Sequence, residues 1–361
     1  MAHAVMFARF GGPEVLELVP MAKPAAGAGQ VVVEVMAAGL NPGESAIREG
    51  KRQDQWPISL PSGQGTDFAG FIVDVGSGVL GWNVNDAVFG HAVRAAQASF
   101  VTVPAGNILH KPEHLPWEIA GSLFVAATNA WEAVAAANPV PGETVLVHAA
   151  AGAVGGIAAQ LARLRGATVI GTASRDHFDH LRQIGVVPVE YGPGLELRLA
   201  ALAPDGIDSE LDHLGDESLI NVESTNERDL ANVAVMVANH QISVPVAAIY
   251  PLEHVQDAYR EIEVGHAHGK IVLSMVPVGY ARQKVRGIDM RETEATKDDP
   301  NRPPIPHTVE ALPPVIGHLP GHPHPRPGFD AEFNPPVPGE VDAANSAAAP
   351  AAAPAATPGA E

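Results

Sequence analysis

Cysteine is absent from all 361 residues, so neither a disulfide nor a thiolate-held metal can form. Basic side chains are scarce: 22 Lys and Arg stand against 41 Asp and Glu, a formal charge of −19. A chain so short of clustered cations is not built to grip a phosphate backbone, which excludes nucleic acid as the main partner. No run of about 18 apolar residues exists to span a bilayer, so no membrane partner is expected. Met1–Phe10 reads as an opening strand and not as a charged-then-apolar export signal, which makes a cytoplasmic location the expectation.

What is present is enough apolar material, 46% of residues, to build the cores of two domains. Up to Val103 the chain is a series of short β-rich runs, Ala4–Phe10, Val15–Val19, Val31–Val35, Phe71–Val75, Asp86–Phe89 and Phe100–Val103, punctuated by Gly, Pro and Asn; these predict a small β-barrel. A polar, proline-bounded connection from Pro104 to Pro116 follows, and the pattern then turns helical at Trp117–Leu123 and Thr128–Ala137.

The second half is organised around Thr144–Arg165. Thr144–Val147 is a short apolar strand, while Val154, Ile157, Ala158, Leu161 and Ala162 recur at helical spacing. Between them Ala150, Gly152 and Gly155 occupy the three places of the dinucleotide fingerprint, where bare backbone must approach a pyrophosphate at the start of a helix. The backbone of Ala151, Gly152, Ala153, Val154 and Gly155 is therefore the candidate phosphate cradle. Strands at Thr168–Thr172, Val187–Tyr191 and Ile207–Leu211 alternate with helices near His177–Ile184 and Leu195–Leu202, which predicts a parallel, doubly wound sheet. A helix at Leu230–Ala238, a strand at Val244–Tyr250, a helix at Leu252–Glu263 and a strand at Lys270–Met275 end the apolar patterning.

An NAD-selecting carboxylate would stand at the end of the second of these strands. Ala173-Ser174-Arg175 stands there instead, and a hydroxyl with a guanidinium suits a 2′-phosphate, so NADPH is the expected cofactor, with Ser174 and Arg175 binding it. Residues 277–361 form a Pro- and Ala-rich tail carrying −4 of the −19, expected to be disordered. Its histidines, His307, His318, His322 and His324, are read as scattered polar residues and not as a metal site.

Phe10-Gly11-Gly12-Pro13-Glu14-Val15-Leu16, Ala37-Ala38-Gly39-Leu40-Asn41-Pro42 with Arg48 and Gly50, Gly65-Thr66-Asp67-Phe68-Ala69-Gly70, Val75-Gly76-Ser77-Gly78-Val79, Ala149–Gly155 and Gly269-Lys270-Ile271-Val272-Leu273 follow in order. Together they resemble the zinc-free quinone oxidoreductase branch of the medium-chain dehydrogenase/reductase superfamily over residues 1 to about 276. The resemblance implies an α/β protein: a GroES-like β-barrel catalytic domain over 1–115 plus 246–276, and a Rossmann-type NADP-binding domain over 116–245. It implies hydride transfer from NADPH to a quinone or conjugated carbonyl, Asn41 and Thr128 at the nicotinamide end with Asn41 as the catalytic residue, Tyr191 near the adenosine phosphate, and a homodimer. Zinc-dependent relatives carry a cysteine and a His-Glu pair where this chain has Asn41 and Thr66-Asp67, so no family-type zinc is expected. Asn41 before Pro42 is equally an ordinary turn residue.

Two departures fall on the nicotinamide and substrate side. Ala46 stands where quinone reductases often carry an aromatic residue. After Leu211-Asp212-His213-Leu214-Gly215 only Asp216–Val222 precedes the polar stretch Glu223–Asp229, too little for another strand and crossover, so fewer than six strands are expected, with at best a remnant at Leu219–Val222 and a weakened dimer. A nucleotide-binding member with little turnover and an enoyl thioester reductase therefore stand as alternatives.

Overall fold

The computed structural model describes residues 2–212, 227–265, 267 and 269–275. Strands β1 (His3–Phe7) and β2 (Glu17–Pro20) pair antiparallel on either side of a single 3-10 turn at Pro13–Val15, which replaces the start of the strand expected at Val15–Val19. Strand β3 (Gln30–Gly39) runs longer than its Val31–Val35 seed, because Met36, Ala37 and Ala38 are also buried. Helix α1 (Pro42–Arg48) was missed at the sequence level. Its seven residues show no full apolar period, and it starts instead from Asn41 in an extended conformation with proline at the first position.

Strands β4 (Ser62–Gly63), β5 (Asp67–Val75), β6 (Ala87–His91), β7 (Phe100–Pro104) and β8 (Ile108–His110) follow. β8 lies inside the connection expected to be irregular. β3 pairs antiparallel with β5 and β7, β5 with β6, and β6 with β8. Val31, Val33, Val35, Phe68, Ile72 and Val101 close one core between these strands.

The second half contains α2 (Trp117–Ala120), α3 (Phe124–Ala137), β9 (Thr144–Val147), α4 (Ala153–Leu164), β10 (Thr168–Ala173), α5 (Phe178–Gln183), β11 (Val187–Glu190), α6 (Leu195–Leu202), β12 (Ser209–Leu211) and α7 (Glu227–Ala238). Four described strands form a parallel sheet in the order β11-β10-β9-β12, the doubly wound arrangement expected from alternating strands and helices. Helix α4 buries Ile157, Ala158, Leu161 and Ala162 and packs on α3. The segment around Leu219–Val222 and the tail 277–361 lie outside the described residues.

Three last elements, β13 (Val246–Pro251), α8 (Val255–Val264) and β14 (Lys270–Ser274), return to the first sheet. β14 pairs parallel with β13 and antiparallel with β3, Val272 opposite Gly39. That register sets Lys270 just beyond the end of β3, alongside Leu40 and Asn41, and so builds the site described next.

Candidate functional site

The loop between β9 and α4 is shaped by close backbone approach. Ala149 takes a left-handed φ of 48°, and its N–H donates to Thr172 Oγ1 at 3.0 Å, while Ala150 N–H donates to Thr172 O at 3.0 Å. These bonds tie the loop to the end of β10. A Cβ on Gly155 would collide with the carbonyl oxygen of Ala149, so only glycine lets the first turn of α4 sit this close to the strand. Gly152 caps α4 without a side-chain hydrogen bond, leaving the helix start to the backbone of Ala151, Gly152, Ala153 and Val154. Orphan N–H groups and the positive end of a twelve-residue helix make a place for an anion.

At the end of β3 a different arrangement appears. Lys270 Nζ donates to Leu40 O at 3.1 Å and Asn41 Oδ1 at 2.6 Å, and stands 3.5 Å from Asp67 Oδ2. All three side chains are buried. Because Lys270 occupies Oδ1, the Asn41 amide is oriented, and its Nδ2 donates to Glu44 Oε1 at 3.2 Å. Glu44 Oε2 accepts from Tyr259 Oη at 2.7 Å and from Gln97 Nε2 at 3.3 Å, and Tyr259 Oη accepts from Gln64 Nε2 at 2.8 Å. Burial pushes the Asp67 carboxyl up to about 6, opposed by the Lys270 ammonium and reinforced by the Glu44 carboxylate. Burial, followed by the Glu44 carboxylate, drives the Tyr259 hydroxyl well above its ordinary value.

The same carboxylate reaches the second half of the molecule: Val125 N–H donates to Asp67 Oδ1 at 3.2 Å, and His91 stacks on Phe124 with ring centroids 4.1 Å apart. Burial lowers His91 to about 4, so its imidazole is neutral at pH 7. One turn further along α3, the Thr128 hydroxyl is buried with no hydrogen-bond partner among the described residues. Asn41 and Thr128 are thus connected through Lys270, Asp67 and the start of α3. A buried hydroxyl left without a protein partner is suited to meet a ligand.

The opposite end of the loop leads to the tips of β10 and β11. Ser174 Oγ is hydrogen-bonded to His177 Nδ1 at 2.6 Å. Arg175 Nε and Nη2 both meet Glu190 Oε2, at 3.0 and 2.9 Å. Tyr191 follows, an exposed side chain. Ser174 and Arg175, expected at the 2′-phosphate, lie just past the end of β10, and Tyr191 just past the end of the neighbouring β11; Glu190, the partner of Arg175, carried no signal in the sequence. The register that sets Ala173 beside Glu190 is a tertiary fact.

Comparison with known proteins identifies the two halves of the chain and its fold. A model of the alcohol dehydrogenase GroES-like domain matches residues 27–113, and a model of the zinc-binding dehydrogenase family matches residues 147–273. The fold matches the quinone oxidoreductase of Coxiella burnetii with a TM-score of 0.67 at 27% identity, over 76% of this chain and 99% of that one. The chain belongs to the medium-chain dehydrogenase/reductase superfamily. A second member, the Escherichia coli quinone oxidoreductase complexed with NADPH, matches with a TM-score of 0.65 at 25% identity, over 76% of this chain and all of that one. Among curated proteins, the rat synaptic vesicle membrane protein VAT-1 homolog is 36% identical over 57% of this chain and 52% of its own length. Rat quinone oxidoreductase is 36% identical over 49% of this chain and 54% of its own length. The chain therefore spans about half the length of the curated relatives it matches.

In zinc-dependent members of the superfamily the turns of Asn41 and Asp67 carry metal ligands; here an amide and a carboxylate on those turns share the Lys270 ammonium. No group of three or more His, Asp or Glu side chains is arranged for a metal among the described residues. No helix among them is long and apolar enough to cross a membrane. Sequence reasoning gave Lys270 only as part of a terminal motif and did not single out Glu44, Gln64, Gln97 or Tyr259, which meet from four separate elements or turns. The landmark Arg48 proves to be packing: fully buried, it lies over the Tyr259 ring at 4.9 Å and bonds Gly11 O and Glu263.

A cleft of about 570 Å3 also opens beside α6, lined by Leu146, His148, Leu195, Leu199, Ile207 and Glu210. It contains none of the residues expected to hold the cofactor.

Proposed function

We propose that this chain is an NADPH-dependent, zinc-independent oxidoreductase that passes a hydride to a quinone or another conjugated carbonyl. The observation that carries the reading is the β9–α4 loop, where Ala149 bends back and Gly155 leaves no room for a side chain, as a pyrophosphate cradle requires. The cradle is the backbone of Ala151–Gly155, with Ser174, Arg175 and Tyr191 at the adenosine end and Asn41 and Thr128 at the nicotinamide end. When bound, the reduced nicotinamide supplies the hydride from its C4 carbon.

The residues of the chain hold and orient. Lys270 and Glu44 fix the amide of Asn41, and the Thr128 hydroxyl is free to bond a polar group of the cofactor. His91 and Phe124 stack as an uncharged wall near Asp67. Proximity in a water-poor site suffices for such a transfer, with no side-chain nucleophile. The quinone oxidoreductase relatives support the substrate class.

A second reading, nucleotide binding with little turnover, is favoured by the four parallel strands among the described residues, since the later strands of such a sheet place the nicotinamide. An enoyl reductase neighbour at 22% identity speaks to the fold alone and carries no third reading. NADPH fluorescence titration, run beside a stopped assay of NADPH oxidation with a simple quinone, separates the two. Binding with quinone-dependent oxidation is the expected result, at a rate below the usual range of about 1–1,000 per second. Binding without oxidation selects the second reading, and absence of binding overturns both.

A further inference from the structure

The Arg175 guanidinium, expected to receive a 2′-phosphate, already has an anion on it. Glu190 Oε2 accepts from both Nε and Nη2, at 3.0 and 2.9 Å. The two side chains come from different strand ends: Arg175 stands two residues past Ala173, and the parallel register sets Ala173 beside Glu190. The backbone that carries Glu190 is held in place. Arg198 Nε and Nη2 donate to the Glu190 carbonyl at 3.1 and 2.7 Å, and Nη1 donates to Pro193 O at 3.0 Å, pinning the turn that follows β11. The superfamily's usual NAD-selecting carboxylate would come from the end of the second strand. Here a carboxylate reaches the same place from the third.

We infer that Glu190 is a specificity-determining residue, whose carboxylate opposes the 2′-phosphate of NADPH and narrows the preference over NADH that Arg175 supplies. The inference rests on the nucleotide-binding reading proposed above. Its physical content is a competition at one guanidinium. The Arg175 side chain is 77% exposed and that of Glu190 39%, so their ion pair is weak and screened, and a phosphate can displace it. The displaced carboxylate remains tethered by this backbone within a side chain's length of the incoming dianion, and like charges at that range oppose binding. The Arg198 guanidinium, held on backbone carbonyls, keeps its positive charge near Glu190 and offsets part of this repulsion, while Asp176 follows Arg175 in the chain with a further negative charge.

The test uses the full chain and probes that report on the adenosine end alone. Adenosine 2′,5′-bisphosphate and adenosine 5′-monophosphate are titrated calorimetrically into the parent, Glu190→Gln, Arg175→Ala and the double variant. Glu190→Gln is expected to bind the bisphosphate about three- to tenfold tighter, with the monophosphate unchanged within about twofold and the gain shrinking at high salt. Arg175→Ala is expected to weaken the bisphosphate selectively. A bisphosphate-to-monophosphate ratio that Glu190→Gln leaves unchanged or lowers would overturn the inference while leaving nucleotide binding intact. NADPH and NADH titrations run alongside separate the other failures. A chain that binds no nucleotide overturns this inference and the nucleotide reading together, whereas binding without NADPH oxidation overturns the oxidoreductase reading alone.

Discussion

Asp67 is the residue on which the buried cluster turns. Its carboxyl touches the Lys270 ammonium and the Val125 N–H, and it still titrates near 6 because burial outweighs those partners. A carboxyl whose folded value lies above its unfolded 3.8 contributes stability that is fully present below about pH 3.8 and lost as pH rises through about 6. The contribution is about 3 kcal/mol. His91 acts oppositely: its depressed value means stability is lost as pH falls from 6.5 toward about 4. Urea unfolding of Asp67→Asn between pH 4 and 7 is expected to lack the Asp67 component, so its stability rises relative to the parent as pH increases. Parallel pH profiles for parent and variant would contradict this account. Only the cluster makes the prediction possible, since the sequence marked Asp67 merely as a residue standing where relatives carry a metal ligand.

Among the elements, the junction of β9 and α4 was the most legible. A β-rich run, small residues at set places and a helical period lie within one continuous stretch, and local sterics dictate the turn. Gly155→Ala drives a methyl group into the Ala149 carbonyl oxygen and forces the first helical turn away from the strand. It is expected to destabilise the fold by about 1–3 kcal/mol and to weaken nucleotide binding tenfold or more. Gly152→Ala meets the same oxygen at 3.1 Å with an ordinary φ of −78° and is expected to be milder on both measures. Thermal melts with NADPH fluorescence titrations check both variants; equal behaviour of the two would refute the close-approach argument. Helix α1 shows the converse. Too short for a period, it forms because Asn41 and Pro42 start it and because Glu44 and Arg48 are bonded by residues from β1–β2, β4, β7 and α8 neighbourhoods.

At the scale of the molecule, every core residue of the described chain lies between Val5 and Leu273. Residues 277–361 lie outside the described residues, and their Pro- and Ala-rich composition predicts little apolar area to bury. A chain ending at Met275 is expected to melt within about 2–4 °C of the parent, the equivalent of about 1 kcal/mol in a domain of this size. A larger fall in a calorimetric scan would mean that the removed segment packs on the body.

The sequence by itself determined the strand-rich first half, the alternating second half and the glycine turn, because each depends on local period or steric necessity. Only the tertiary structure decided what Asn41, Asp67 and Arg175 touch. Lys270 reaches Asn41 through the antiparallel register of β14 on β3, and Glu190 reaches Arg175 through the parallel register of β11 on β10. Registers of this kind are set by the packing of whole faces across long separations in the chain, and no local pattern records which side chains they bring together.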